Sequence, residues 1–438
     1  MRMLIVGNGG REHAVYNMAK KSPLVTEIFC APGNPAMKNR VDIKVTDIQG
    51  LINFAIKELI DLTIVGPEAP LAMGIVDQFR AHGLSIFGPV QAAAKLESSK
   101  SDAKKIMAEG NVPTAKAEVF EWSRHQSPTI IEALNQRSYP FVLKADGLAA
   151  GKGVRICRQP SDVTIAINEF STNKFGAAGD VILLEDFLVG PPNLPRPEIS
   201  IFALVDIHGN FKMMLPAQDY KPINDGDQGQ NTGGMGSYAP VPWVTKKMMT
   251  EIGKNIFEPV IKEMIDQSTP FSGLLYAGLM YTTEGFKVVE FNVRFGDPEI
   301  QPLSMLLKTD IIHIMKIIAD GGSIADIELE WKSGGAVCIV MAANGYPDSY
   351  SKRDEITGLN TAGVFVNAKV FFAGVETEHN KLVTAGGRVL GITVYHPDGI
   401  ESAASTGYII AGKIKWGDGE TSYPVYRHDI AKDVPLTV

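Results

Sequence analysis

The chain has 438 residues, of which 45% are hydrophobic and 21% charged, and its formal net charge is −7. A chain of this length outgrows one hydrophobic core, so two to four domains are expected, and the composition is that of a soluble globular protein. The negative balance excludes a global attraction for nucleic acid or an anionic membrane, so any anionic substrate must be held by local lysines and arginines. Cys30, Cys157 and Cys338 are far apart in apolar runs, which encodes neither a zinc cluster nor a disulfide framework. The eight histidines show no metal-ligand spacing. The amino-terminal MRMLIVGNGG is too short an apolar run for a signal peptide, and no later segment has the length to span a bilayer, so a reducing, cytoplasmic setting is expected.

From the amino terminus the chain repeats a strand-then-helix rhythm: MLIVG, REHAVYNMAKK, EIFCAPG, LINFAIKELI, LTIVGPE, AMGIVDQFRAHG, SIFGP. This predicts a parallel sheet with helices on both faces, and in such sheets ligands gather at the carboxyl ends of the strands. Those ends carry GNGGRE from Gly7, APGN to Asn34 and GPEAP around Glu68. Glu12 replaces the third glycine of a dinucleotide fingerprint, which weakens any reading as an NAD site. The amides of Gly9, Gly10 and Arg11 at a helix start suit a single phosphate, or form a tight turn and nothing more.

The stretch KLESSKSDAKKIMAEG reads as one helix ending near Gly110. Beyond it PFVLKAD, GVRICR, VILLEDFL and EISIFALVD are strand candidates around a helical SDVTIAINEFSTNK, which predicts a small α+β lid. GPPNLPRPE, with Pro191, Pro192, Pro195 and Pro197, predicts a surface loop. A larger α+β body follows, and from Gly334 a third unit begins whose AVCIVMAANGYP, KVFFAG and GGRVLGITVYH look like antiparallel strands.

Two segments carry phosphate chemistry. Residues 144–154, KADGLAAGKGV, resemble a Walker A loop only superficially: three residues separate Gly147 from Gly151, Gly153 replaces the Ser or Thr, and a strand follows. A flexible hairpin over phosphates fits better, with Lys144 and Lys152 neutralising charge. Residues 288–294, VVEFNVR, place Glu290, Asn292 and Arg294 at alternate positions of a strand and so on one face. Two hard oxygen donors suit Mg²⁺ and a guanidinium fork suits carboxylate or phosphate oxygens, although a solvated polar face is the plain alternative.

These pieces lie in order along the chain with GNGGREH, APGN, GPEAPL, LESSK, EDFL, QDYK, NTGGMG, GLLYAGLM, RFGDPE and GGRVLGIT. Together they resemble the phosphoribosylamine–glycine ligase (glycinamide ribonucleotide synthetase) family of the ATP-grasp superfamily over nearly the whole chain. The resemblance implies an α/β and α+β multidomain fold. A Rossmann-like N-terminal domain would span 1–103, an ATP-grasp core 104–327 with a small mobile lid at about 120–190, and a mixed β C-terminal domain 328–438. It implies a carbon–nitrogen ligase of purine biosynthesis that uses ATP, Mg²⁺ or Mn²⁺, glycine and 5-phosphoribosylamine, as a monomer, with no nucleic acid or membrane partner.

By the same resemblance, ATP would be held by Lys104, Lys144, Gly151, Lys152, Gly153, Glu185, Asp186, Phe187, Leu188 and Glu198, and the metal by Glu290 and Asn292. The substrates would meet Gly9, Gly10, Arg11, Asn34, Glu68, Lys221, Arg294 and Arg388, with Arg294, Lys152, Asp219 and Asp297 in catalysis and Asp219, Lys221 and the NTGGMG loop near glycine. Asp297 and Glu299 would orient Arg294 or the incoming amine, or form a helix-start charge arrangement around Pro298. Arg388 would close on the ribose phosphate or serve as a hairpin arginine. The chain departs from the family pattern at Pro197-Glu198-Ile199-Ser200, Gln230, Val293 and Ala385. It also has Tyr276 to Met280 where many ATP-grasp enzymes place a further metal-binding carboxylate.

Overall fold

The computed structural model describes residues 1–121, 132–134, 136–148, 153–172, 174, 176–432 and 434–435. Strands β1 (Arg2–Gly7), β2 (Glu27–Pro32), β3 (Leu62–Val65) and β4 (Ile86–Phe87) form a parallel sheet in the order β2-β1-β3-β4. Met3, Leu4, Ile5 and Val6 are all fully buried, as a strand covered by helices on both faces requires. The helix expected from Ala72 begins only at Ile75, behind a separate short helix, and the one expected to run to Gly110 is split. Gly74, at φ 81, divides Glu68–Ala72 from Ile75–Ala81. Ser99 leaves the helical region and its hydroxyl accepts the Asp102 N–H, ending Gln91–Ser98 and starting Lys100–Glu109.

The lid sheet consists of β5 (Ala117–Glu121), β6 (Phe141–Ala145), β7 (Val154–Cys157) and β8 (Val181–Asp186), all antiparallel in the order β5-β8-β6-β7. Phe141, Leu143, Ile182 and Leu184 pack under the helix Pro160–Ser171 in a small core of their own. The phosphate-loop segment is the turn between β6 and β7, so the expected hairpin is present, although Gly151 and Lys152 lie outside the described residues.

The fourth expected lid strand belongs elsewhere, and β5 takes its place. β9 (Glu198–Val205) pairs with β10 (Phe211–Met213) on one side, and its residues from Ile199 onward are all buried. Such a run needs cover on both faces, which a four-stranded lid with one helix does not supply. Next come the short strands β11 (Gln218–Asp219), β12 (Pro222–Asn224), β13 (Gln228–Asn231) and β14 (Gly236–Ala239). The long strands β15 (Gly273–Thr282) and β16 (Gly285–Asn292) complete the main sheet in the order β10-β9-β15-β16.

The last sheet is antiparallel, as expected, and joins β17 (Gly335–Ala343), β18 (Ala368–Phe372) and, beyond the hairpin β19 (Val375–Glu378) and β20 (Lys381–Thr384), β21 (Arg388–His396). β11 and β14 extend it in the order β11-β14-β17-β21-β18, and β22 (Pro424–Val425) adds to β17, so the middle of the chain is built into this sheet. No helix among the described residues is long and apolar enough to cross a membrane. The proline-rich segment is irregular, as expected, but it is anchored, with Leu194 3% exposed and the Arg196 guanidinium over the Tyr220 ring at 3.8 Å.

The first and last sheets meet at Phe372. Its N–H donates to His13 Nδ1 at 2.8 Å, and its carbonyl accepts from Asn34 Nδ2 at 2.9 Å, while the same amide nitrogen donates to Asn8 O. Burial, then Lys369 and Lys20, lower the His13 imidazole to about 3, which keeps Nδ1 free to accept. Asn34→Ala removes two part-buried hydrogen bonds, to the Asn8 and Phe372 carbonyls, so it should cost about 1 kcal/mol. A urea midpoint equal to that of the unsubstituted protein would refute this bridge.

Candidate active site

A cleft of about 320 Å³ opens between the lid sheet, the main sheet and the last helix of the amino-terminal unit. On the lid side a buried carboxylate organises the cations. Glu185, at the end of β8, lies 3.4 Å from Lys104 Nζ and 2.8 Å from Lys144 Nζ. Lys104 also donates to Thr114 Oγ1 and the Ala115 carbonyl, and Lys144 to the Val289 carbonyl. Burial, opposed by Glu185, lowers the Lys104 ammonium to about 8. Lys100 joins them by donating to the carbonyls of Ala145 and Gly147 at the base of the hairpin. Three ammonium groups thus share one wall, the arrangement a polyphosphate requires.

The opposite wall is the end of β16. A bulge at Val289 interrupts its register with β15, and Glu290, Asn292 and Arg294 all line the cleft. Among the described residues the Glu290 carboxylate has no hydrogen bond or ion pair, while burial disfavours its charge. Lys221, Lys144, Lys100 and Arg294 outweigh that burial and hold it below the usual carboxylate range. Asn292 Oδ1 accepts from Arg294 Nη2 at 3.0 Å. Arg294 is further held by Glu97 at 2.9 Å and Glu68 at 3.4 Å. Burial, against Arg294, raises Glu97 above the usual range, while Arg294 and Arg11 overcome burial to keep Glu68 below it.

A third group lies between them. Asp219 Oδ1 and Lys221 Nζ pair at 3.1 Å, and Glu198, exposed at the start of β9, stands 3.7 Å from the same ammonium. The Tyr276 hydroxyl is 2.8 Å from both Glu299 Oε1 and Ser200 Oγ. Burial and then the Asp219 carboxylate push the Glu299 carboxyl up to about 7. Glu299 therefore works with Tyr276, and Asp297 does not touch Arg294. Asp297 instead accepts from the Arg11 amide and Gln301, and lies 3.7 Å from Arg388. Arg388 braces the NTGGMG loop through the Gly233 carbonyl at 2.6 Å, the hairpin-arginine role.

Several expected residues lie away from this cleft. The Gly9 amide is bonded to Glu12 Oε2 at 2.6 Å and the Arg11 amide to Asp297, so the chain's own carboxylates hold the helix start suggested for phosphate. Gly9, Gly10 and Asn34 are outside the described lining, and Asn34 has the bridging partners given above. Asp186 pairs with Arg137, and Phe187 and Leu188 follow it outside the lining. Gly153 and Arg11 do line the cleft, as do Glu68, Asp219, Lys221, Asp297 and Arg388. Sequence reading missed Glu97 and Lys100 as site residues, although LESSK contains both.

Family models for phosphoribosylglycinamide synthetase match in sequence order: the N domain at residues 1–97, the ATP-grasp (A) domain at 98–300 and the C domain at 336–433. The chain belongs to the phosphoribosylglycinamide synthetase family. Phosphoribosylamine–glycine ligases from Rhodopirellula baltica and Caldanaerobacter subterraneus are each 43% identical to it, covering 94% and 98% of this chain and 94% and 99% of their own lengths. The crystal structure of phosphoribosylamine–glycine ligase from Thermotoga maritima superposes with a TM-score of 0.80 at 32% identity, covering 98% of this chain and all of that one. The biotin carboxylase domain of Hydrogenobacter thermophilus 2-oxoglutarate carboxylase shares the fold at a TM-score of 0.70 and 16% identity, over 95% of this chain and 90% of that one.

Glu299 offers a test through the pH dependence of stability. Burial pushes its carboxyl up to about 7 in the folded chain, against about 4.5 for a solvated glutamate, so the folded chain holds the extra proton between those values. Stability from this group is full below 4.5 and is lost as pH rises through 7. Glu299→Gln should flatten that part of the melting temperature profile, and an unchanged slope would remove the assignment.

Proposed function

We propose that this chain ligates glycine to 5-phosphoribosylamine at the expense of ATP, giving glycinamide ribonucleotide, ADP and phosphate in purine biosynthesis. A glycine carboxylate oxygen attacks the γ-phosphorus and ADP leaves. The amine nitrogen then attacks the carbonyl carbon of glycyl phosphate, inorganic phosphate leaves, and the nitrogen gives up a proton. Negative charge gathers in both steps, so positioned cations supply the stabilisation and no enzyme nucleophile is needed. Lys100, Lys104 and Lys144 hold phosphate oxygens, together with Lys152 from the hairpin. Arg294, fixed by Glu97 and Glu68, orients the glycyl carboxylate and then the acyl phosphate.

The observation that carries this reading is Glu290, an ionised carboxylate without a protein partner among the described residues, ringed by four cations. With the Asn292 amide oxygen it offers the hard donors that fit Mg²⁺ or Mn²⁺. Such a cation neutralises phosphoryl oxygens when bound. No group of three His, Cys, Asp or Glu suited to a metal occurs among the described residues, so nucleotide and water must complete the shell. We take the chain to act as a monomer and place the reaction in the cytoplasm.

ADP release should require both glycine and freshly generated phosphoribosylamine, and equal turnover with glycine omitted would sink the reading in favour of another acceptor. Glu290→Gln should lower turnover by about 100-fold or more with the circular dichroism spectrum unchanged. Titration of the unsubstituted protein with Mg²⁺ alone should give no calorimetric signal, whereas Mg²⁺ added with a non-hydrolysable ATP analogue should bind. Tight binding of the metal alone would refute the shared shell.

A further inference from the structure

Lys221 and Asp219 face the cleft, while the residue between them faces away from it. Tyr220 is 1% exposed, and its hydroxyl accepts the Ala431 N–H at 2.8 Å, from the last described turn of the chain. Two guanidiniums stand over its ring, Arg196 at 3.8 Å and Arg427 at 4.9 Å. On the other side of Lys221, the Pro222 carbonyl accepts from Arg427 Nη1 at 3.1 Å. Both neighbours of Lys221 are therefore fastened to the carboxyl-terminal segment.

The fastening is a charge cluster built on the buried Arg427 side chain, whose members lie outside the described cleft lining. The Arg427 side chain is 0% exposed and forks onto Asp429 through Nε at 2.7 Å and Nη2 at 2.5 Å, while Nη1 also reaches Asp227 at 2.9 Å. Asp227 lies at the tip of the β12–β13 hairpin and also pairs with Arg196 from the proline-rich segment at 2.8 Å. The Gly226 amide donates to Asp429, and the His428 amide to Asp225. The hairpin is otherwise short and exposed, a form that does not hold its position alone. Its two stems lead into Lys221 and Thr232, which are joined by the Thr232 N–H to Lys221 carbonyl bond at 2.8 Å, and both residues line the cleft.

We propose that Arg427, acting through Asp227 and the Pro222 carbonyl, is a positioning residue that sets Lys221 against Asp219 for glycine. This rests on the ligase reading above. The lysines assigned to the phosphates are carried by the helix Lys100–Glu109 and the lid strand β6, not by the hairpin, so the cluster bears on glycine more than on ATP. A lysine at 427 keeps the charge but cannot fork onto Asp429 while reaching Asp227 and Pro222.

Steady-state kinetics on the full chain test this. Arg427→Lys should raise the KM for glycine about tenfold and leave the KM for ATP within about twofold. Asp227→Asn, on the solvent side of the cluster, should give the same split at about threefold, and carries the test alone if Arg427→Lys lowers the folded fraction seen by circular dichroism. A lower melting temperature with unchanged glycine KM would make the cluster a structural anchor only and overturn the proposal. An equal rise in both KM values would overturn it too. If the unsubstituted protein shows no glycine-dependent ADP release, the ligase reading fails instead.

Discussion

The site depends on one buried carboxylate. Glu97, 8% exposed at the end of the amino-terminal unit, accepts the Val293 N–H at 2.8 Å and an Arg294 N–H at 2.9 Å. It therefore fixes the backbone and the guanidinium at the end of β16, two residues beyond the cleft-facing Asn292. A buried charge of this kind is tolerated only when paired, and removing a partner leaves the other stranded in a low dielectric. Glu97 couples the amino-terminal unit to the strand that carries Glu290, so neither can move freely without the other.

The same logic runs through the cleft. The chain is acidic overall, yet Lys100, Lys104, Lys144, Lys221 and Arg294 converge on one space, each held by carbonyls or carboxylates behind it. Glu185 gathers two lysines, Asp219 one, and Glu97 with Glu68 the guanidinium. Glu290 is different, for it faces the cations without a direct bond to any of them among the described residues. A pre-organised field of this sort stabilises charge without reorganising during the reaction.

The misreadings share a cause. The helix start at Gly9 looked like an anion site because glycine amides and a helix dipole do attract anions, yet Glu12 and Asp297 supply the anions from within the chain. EISIFALVD followed the lid strands in sequence and was assigned to them, but a strand buried along nearly its whole length had to enter a larger sheet. Arg388, expected either to close on the ribose phosphate or to serve as a hairpin arginine, donates to the carbonyls of Gly233 and Asp297. Apart from the local Gly9–Glu12 contact, these groups found their partners in distant segments, which local pattern does not report.

Local chemistry alone was enough for much of the rest. The alternation of Glu290, Asn292 and Arg294, the glycine-rich hairpin after Lys144, and the strand-then-helix rhythm of the first unit depend on residues close in sequence, so their periodicity is visible in the chain. The ordered motifs likewise identified the family. Tertiary structure alone decided which carboxylate meets which cation: Glu97 with Arg294 is separated by nearly 200 residues, and Asp227 with Arg427 by 200. It also decided that β11 and β14 join the last sheet and that the carboxyl-terminal segment grips the residues flanking Lys221. Those pairings are set by burial and charge compensation between segments, which the order of residues does not display.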